Sequence, residues 1–296
     1  MRLFILYNPH AGAGRAKKLL PKVKEAFENR GITPEFYLTS YPSHGTEIIQ
    51  NLDFSDYDGI VAAGGDGTLF ECVNGYFRNT AEHFIPVGVL PVGTGNAFAR
   101  DLYKDTADWE EAVDVICGGK TRKVDAGSFI MQDKTFYYLN ILGLGFVADV
   151  TETAYKLKQF GNVAYLLGVL YQTLFLKSHS LKLTIDGTVY TRDNIFVEVS
   201  NTRYTSNFLM APDAEIDDGY LDVTLLGACS RIKLLKSLPT VFDGTHVDLD
   251  IVETFRAKEI TIETEPAKIL TPDGELIGST PVSVSCLHKA VTVYSH

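Results

Sequence analysis

The sequence is poor in cysteine: of 296 residues only Cys72, Cys117, Cys229 and Cys286 are thiols, and no two form a CxxC pair. That scarcity excludes a disulfide framework and a cysteine zinc site, and it predicts free thiols in a reducing compartment. Net positive charge is lacking too. With 27 Lys and Arg against 37 Asp and Glu, the formal charge of -10 leaves no global footprint for nucleic acid, so none is expected as a partner. Long hydrophobic runs are also missing. The longest, Val163 to Leu176, is broken by Gln172 and falls short of the roughly 18 to 20 residues of a bilayer span. The apolar run Leu3 to Tyr7 stops at Asn8-Pro9, too short for a secretory leader, so a cytoplasmic location is expected. No repeat or low-complexity linker occurs, and the seven histidines show no metal-ligand spacing.

What is present is apolar substance and glycine. Hydrophobic residues make up 45% of the chain, enough to bury real cores and to fill about two domains. Over the first 125 or so residues, strand and helix signals alternate. Leu3 to Tyr7 leads through Asn8-Pro9-His10-Ala11-Gly12-Ala13-Gly14 into a helical spacing at Ala16, Leu19, Leu20, Val23, Ala26 and Phe27, where Pro21 should sit in an early turn or impose a kink. Gly59 to Ala63 leads through Gly64-Gly65-Asp66-Gly67 into a second helix, and Ile85 to Leu90 leads through Pro91 to Asn96 into a third. Three strand, glycine turn and helix units predict an α/β layer with a mostly parallel sheet. After Val124-Asp125-Ala126-Gly127 the period changes to alternation, as in Leu181, Leu183 and Ile185 or Val282, Val284 and Cys286, with Asp186-Gly187 and Asp273-Gly274 as hairpin-type turns. The second half is therefore expected to be antiparallel β, with one helical insertion near Ala154 to Leu176.

Glycine at a strand-to-helix turn lets backbone N–H groups approach an anion, and the helix N-terminus adds favourable partial charge. Three such turns, at 12 to 14, 64 to 67 and 93 to 95, would all fall at the carboxyl ends of parallel strands, the usual ligand crevice. Together they suggest phosphate binding, although none matches GxxxxGK[ST] or a clean GxGxxG followed by a ribose-binding acid. Asp66 lies between two of these glycines. It would repel phosphate unless a divalent cation lay between them; a plain helix cap is the other reading.

Gly64 to Thr68, with the Asn8-Pro9 loop before it and Gly93-Thr94-Gly95-Asn96-Ala97-Phe98-Ala99 after it, resembles the diacylglycerol kinase catalytic family, which includes sphingosine kinases and bacterial lipid kinases. The resemblance continues in order through Val124 to Gly127, Gly143 to Phe146, Ala211 to Gly219 and Asp273-Gly274-Glu275. It implies an N-terminal α/β nucleotide-binding domain at 1–127, to which a tail at 288–296 returns, and a C-terminal β-sandwich lipid domain at 128–287, with ATP in a cleft between them. Carried over residue by residue, it implies that Asn8, Gly12, Gly14, Gly64, Gly65, Asp66, Gly67, Thr68, Thr94 and Asn96 hold the nucleotide, with Thr39 a further contact. Asp66 and Asp125 would belong to an acidic network around catalytic magnesium, and Glu275 would be the general base that takes the hydroxyl proton. The Asp218 side chain, with the carbonyls of Glu215 and Tyr220, would form a structural magnesium site.

The chain departs from the family pattern at Ala97, where many bacterial members carry an acid, and at Thr202 to Leu209, which lacks a glycine run. A lipid substrate implies transient contact with the inner membrane face. Arg15, Lys17, Lys18, Lys22 and Lys24, with Lys156 and Lys158 before the apolar Tyr165 to Leu176 stretch, are candidates to meet anionic lipid while that stretch lines the lipid slot. An unpaired sheet edge would leave a homodimer open. The expected activity is transfer of the γ-phosphoryl group of ATP to a lipid hydroxyl, diacylglycerol first among them. An NAD kinase-like enzyme, or a catalytically silent nucleotide or lipid sensor, stands as the alternative.

Overall fold

The computed structural model describes residues 1–103, 107–156 and 164–296. The chain divides into two compact units, Met1–Ala126 with His288–His296, and Gly127–Leu287.

In the first unit, β1 (Leu3–Tyr7), β2 (Glu35–Leu38), β3 (Gly59–Gly64) and β4 (Val87–Pro91) form a parallel sheet in the order β4-β3-β1-β2. β1, β3 and β4 are buried along their whole length. That is why they read as continuous apolar runs: a parallel strand covered on both faces has no solvent side to alternate with. β2, at the edge, is mostly exposed and carries no such run. Helix α1 (Arg15–Glu28) buries Ala16, Val23 and Phe27 on one face and runs through Pro21 without ending. Pro21 is exposed, so the carbonyl that loses its helical partner can bond water instead. Helices α2 (His44–Gln50), α3 (Asp66–Arg78), α4 (Ala97–Leu102) and α5 (Trp109–Gly118) complete the layer. α5 opens on Asp108, whose carboxylate accepts the Glu110 and Glu111 N–H groups, and closes on left-handed Gly119. The end of the chain belongs to this unit: Val293 pairs in parallel with Val87, and the Tyr294 hydroxyl donates to the Asp58 carbonyl at 3.0 Å.

The second unit is antiparallel. β5 (Thr121–Met131) brings the chain into it and turns back as β6 (Lys134–Tyr138). β7 (Ile141–Gly145) is followed by the helical insertion, α6 (Phe146–Lys156) and α7 (Ala164–Leu174). Next come β8 (His179–Ile185), β9 (Thr188–Ser200), the short β10 (Tyr204–Thr205) and β11 (Phe208–Leu209), and β12 (Leu221–Gly227). Helix α8 (Arg231–Ser237), β13 (Val252–Ala257), β14 (Glu259–Glu265), β15 (Leu270–Pro272) and β16 (Val282–Tyr294) end the chain. β9 is long enough to serve two neighbourhoods. Its first half pairs with β8, and its second half lies between β12 and β7, which in turn pairs with β15. Along β8 the inward residues are His179, Leu181, Leu183 and Ile185, the alternation of a sheet with one buried face. Asp186 and Gly187, with φ of 44° and 87°, make the β8–β9 hairpin, where the Asp186 carboxylate also accepts the Glu259 N–H at 2.9 Å. An α/β first half and a β-sandwich second half are thus the architecture found. All four cysteines are free, with Cys72 buried and the other three half-buried.

Candidate functional site

Register places the ends of the four parallel strands side by side. Tyr7 pairs with Leu38 and with Ala63, and Gly64 pairs with Pro91, so Asn8, Thr39, Gly65 and Val92 leave the sheet along one edge. The three glycine turns interlock there. The Val92 and Gly93 N–H groups both donate to the Gly64 carbonyl, at 3.0 and 2.8 Å, and the Asp66 N–H donates to the Gly95 carbonyl at 3.0 Å. The approach is too close for side chains: a Cβ on Gly93 would stand 2.5 Å from the Gly65 backbone, and one on Gly65 would stand 2.8 Å from the Gly95 carbonyl oxygen. Glycine is required at these positions by space. At Gly12 and Gly14 it is favoured by conformation, with φ of 60° and 85°. The first turn joins the others through side chains. Asn8 Nδ2 donates to Thr68 Oγ1 at 3.1 Å, and the Arg15 guanidinium donates to the Gly93 carbonyl at 2.7 Å. Arg15, which the sequence places among lipid-facing basic residues, is therefore a clamp between turns, and nothing in its spacing signals that. Thr39 is buried, with its N–H on the Tyr7 carbonyl at 2.9 Å; Thr94 is exposed at the tip of the third turn.

Asp66 is the first residue of α3, with Gly65 as the cap, so its carboxylate meets the positive end of that helix. One oxygen accepts the Ala97 N–H at 2.9 Å. Ala97, where the family often has an acid, thus contributes its backbone to holding Asp66. An oxygen donor fixed at a ring of backbone turns suits a hard divalent cation that keeps its waters. A second feature fits a nucleotide: Asn96 Oδ1 is buried and has no hydrogen-bond partner, so it lacks a donor of the kind that a ribose hydroxyl or a metal-bound water supplies. Asp125 is fully buried, and its Oδ1 accepts the Lys289 N–H at 2.6 Å and meets His288 Nδ1 at 3.0 Å. These bonds fasten the returning tail. Among the described residues, no three His, Cys, Asp or Glu side chains converge on a metal position.

In the second unit, Pro272-Asp273-Gly274-Glu275 is a tight turn. Asp273 and Gly274 have φ of 46° and 86°, and the Glu275 N–H donates to the Pro272 carbonyl at 2.8 Å. The buried Asp273 carboxylate fixes the turn by accepting the N–H groups of Ile141 at 3.0 Å and Asn140 at 3.2 Å. Glu275, half-buried, follows directly. The acidic segment at Glu215 to Tyr220 is tied to an arginine. Asp218 Oδ1 accepts the Tyr220 N–H at 2.9 Å, and Oδ2 pairs with the Arg256 guanidinium, which lies 4.9 Å from the centre of the Tyr220 ring. Each Asp218 oxygen thus has one partner, and an arginine stands as the local cation. Burial pushes the neighbouring Asp222 carboxyl up to about 6, and Arg256 opposes the shift.

The helical insertion and the sheet beside it line an apolar hollow that opens to solvent, whose wall includes Phe146, Val169, Phe196, Met210, Leu234 and Val252. Four polar residues among those described, Glu198, Thr205, Ser237 and His246, also line it. The sequence analysis passed over Glu198, yet a signal exists: it is the one acid in the run Ile195-Phe196-Val197-Glu198-Val199. Part of the expected basic surface is spent internally, since Lys156 pairs with Glu152 at 2.7 Å, and Lys158 lies outside the described residues. α7 presents Leu167, Leu170, Tyr171 and Leu174 to solvent. No helix among the described residues is long and apolar enough to cross a membrane.

Comparison with known proteins agrees with these two halves. Residues 2–129 match the model of the diacylglycerol kinase catalytic domain, and residues 140–295 match that of the YegS C-terminal NAD kinase beta sandwich-like domain. A diacylglycerol kinase of Staphylococcus carnosus (strain TM300) is 31% identical over 99% of this chain and 95% of its own length. Sphingosine kinase 1 of Arabidopsis thaliana is 27% identical over 99% of this chain and 72% of its own. Among solved structures, a Bacillus anthracis str. Sterne protein named for the diacylglycerol kinases aligns with a TM-score of 0.83 at 26% identity, covering 100% of this chain and 95% of that one.

Proposed function

The chain belongs to the diacylglycerol kinase catalytic family, and from that premise we propose that it transfers the γ-phosphoryl group of ATP to the free hydroxyl of diacylglycerol, giving phosphatidic acid and ADP. The observation that carries the reading is the interlocked set of glycine turns with Asp66 fixed among them, a backbone surface suited to a polyphosphate. The hydroxyl oxygen forms the new P–O bond, the bridging β–γ P–O bond breaks toward ADP, and Glu275 accepts the hydroxyl proton. Positioning and electrostatics contribute most of the rate, because little covalent chemistry is left to the protein.

Asn8, Thr39, Gly12, Gly14, Thr68, Thr94 and Asn96 hold the nucleotide, and Asp66 is the carboxylate through which magnesium would be held. When bound, that ion neutralises charge on the transferring phosphoryl oxygens. Asp125 acts through its grip on Lys289 and His288, keeping the tail beside the nucleotide unit. The apolar cavity takes the acyl chains, and the exposed apolar face of α7 gives transient contact with a bilayer surface. The test is radiolabelled ATP offered with dioctanoylglycerol, a sphingoid base or NAD. Label in phosphatidic acid, lost in Glu275→Gln, is the expected result; label in NAD alone, or none in any acceptor, overturns the reading.

A further inference from the structure

Glu198 lies near the end of β9 with no exposed surface, on the wall of the apolar cavity. Its Oε1 accepts hydrogen bonds from the hydroxyls of Thr205 and Ser200, the latter at 3.3 Å. Its Oε2 is equally buried and has no hydrogen-bond partner. Among the described residues, no lysine or arginine lines the cavity. The one basic side chain there, His246, is kept neutral by burial and meets the Met210 carbonyl through Nε2 at 3.1 Å. A carboxylate without a counter-cation in such a wall is costly, so the acid is held in its neutral form. Oε1, accepting two hydroxyls, is then the carbonyl oxygen, and the proton sits on Oε2. In agreement, burial pushes the Glu198 carboxyl up to about 7, against the pull of the Thr205 and Ser200 hydroxyls. Ser237 donates to the Leu234 carbonyl and Thr205 to Glu198, and a neutral His246 whose Nε2–H faces the Met210 carbonyl leaves Nδ1 as an acceptor, so among the described residues Glu198 Oε2 is the unused donor of a mostly apolar wall.

We propose that Glu198 is a specificity-determining residue whose protonated carboxyl donates from Oε2 to the ester carbonyl of an acyl lipid seated in this cavity. The chemistry that fits is an acceptor oxygen flanked by hydrocarbon. An acyl ester has one; an alkyl ether lacks the carbonyl, and a sphingoid base presents an ammonium that needs the ionised acid instead. A buried donor left without an acceptor is a penalty that the correct ligand removes, so discrimination of about tenfold or more between ester and ether is expected.

The proposal rests on the lipid-kinase reading for its choice of ligand, and the test separates the two. Binding of dioctanoylglycerol and of its dioctyl ether analogue is measured by calorimetry in detergent micelles without nucleotide, and kcat/KM is measured for both with ATP. These are compared in the unaltered protein, Glu198→Leu and Glu198→Gln. The expected result is an ester-over-ether preference of about tenfold that falls to near unity in Glu198→Leu and persists in Glu198→Gln, whose amide N–H can still donate. The same preference in binding, without turnover of any lipid, would support this assignment while removing the proposed function. Phosphorylation of ester and ether with equal efficiency would overturn the assignment and leave the function standing. Failure to bind either lipid, or a preference for a sphingoid base that Glu198→Leu abolishes, would also overturn it.

Discussion

The edge of turns in the first unit and the hollow in the second handle polar groups in opposite ways. At the turns, backbone N–H and C=O groups bond one another across three loops, and the side chains involved are small or absent. In the hollow the backbone is occupied by the sheet, and recognition falls to single side chains such as Glu198 within an apolar wall. The contrast follows from the ligands expected of each. A polyphosphate is bound best by many converging dipoles, whereas a lipid needs area, with one or two polar groups to fix its register. A corollary concerns tolerance: Gly65 and Gly93 have no space for an added methyl group, while apolar exchanges around the hollow should cost less if volume is kept.

The largest expected effect that sharpens this contrast is chemical. Glu275→Gln should lower kcat by about 10²-fold or more while leaving nucleotide binding unchanged, since a general base contributes to the rate and not to ATP affinity. Equal losses of kcat and ATP affinity would assign Glu275 to nucleotide binding instead. Next comes Gly93→Ala, which forces a methyl group to 2.5 Å from the Gly65 backbone. It should destabilise the protein by about 1–3 kcal/mol and abolish nucleotide binding, as read by thermal melts with and without ATP. An unchanged melt would show that the turns yield more easily than their packing implies.

The hollow is tested by pH. The Glu198 carboxyl is raised in the folded protein to about 7, above its unfolded value, so its contribution to stability is complete below roughly pH 4 and is lost as pH rises through 7. Glu198→Gln should remove that loss, so that between pH 5.5 and 8.5 the unfolding free energy of the variant, read from denaturant melts, falls less than that of the unaltered protein, by about a few kcal/mol at most. Parallel pH profiles would mean that the acid is already relieved by water. Arg15→Ala should be milder, about 1 kcal/mol, with ATP affinity reduced and lipid affinity unchanged. The smallest effect concerns the acidic turn. With Arg256 on Asp218, chelator should leave the melting of the second unit unaltered, whereas Arg256→Ala should make it respond to magnesium; a chelator effect on the unaltered protein would restore a metal to that position.

Local chemistry made much of this legible beforehand. The continuous runs at 3–7, 59–64 and 87–91 announce a parallel sheet because both of its faces are covered, and the alternation from Leu181 to Ile185 announces a sheet with one buried face. The clustered glycines mark the turns because Gly65 and Gly93 have no room for a Cβ and Gly12 and Gly14 have positive φ. What escaped were partners far apart in sequence. Arg15 reads as one more surface cation until Gly93 is brought to it, and nothing in the acidic segment shows that Arg256, thirty-eight positions on, pairs with Asp218.

The sequence by itself determined the class of each half and the positions of the turns, because period and glycine content are properties of short segments. Only the tertiary structure decided which of those groups are already satisfied. The bonds that hold Asp66 and Asp125, and the lack of one at Glu198 Oε2, come from strands and loops many residues distant. Whether a polar group is free to meet a ligand depends on all of its neighbours in space, and a linear pattern records only those along the chain.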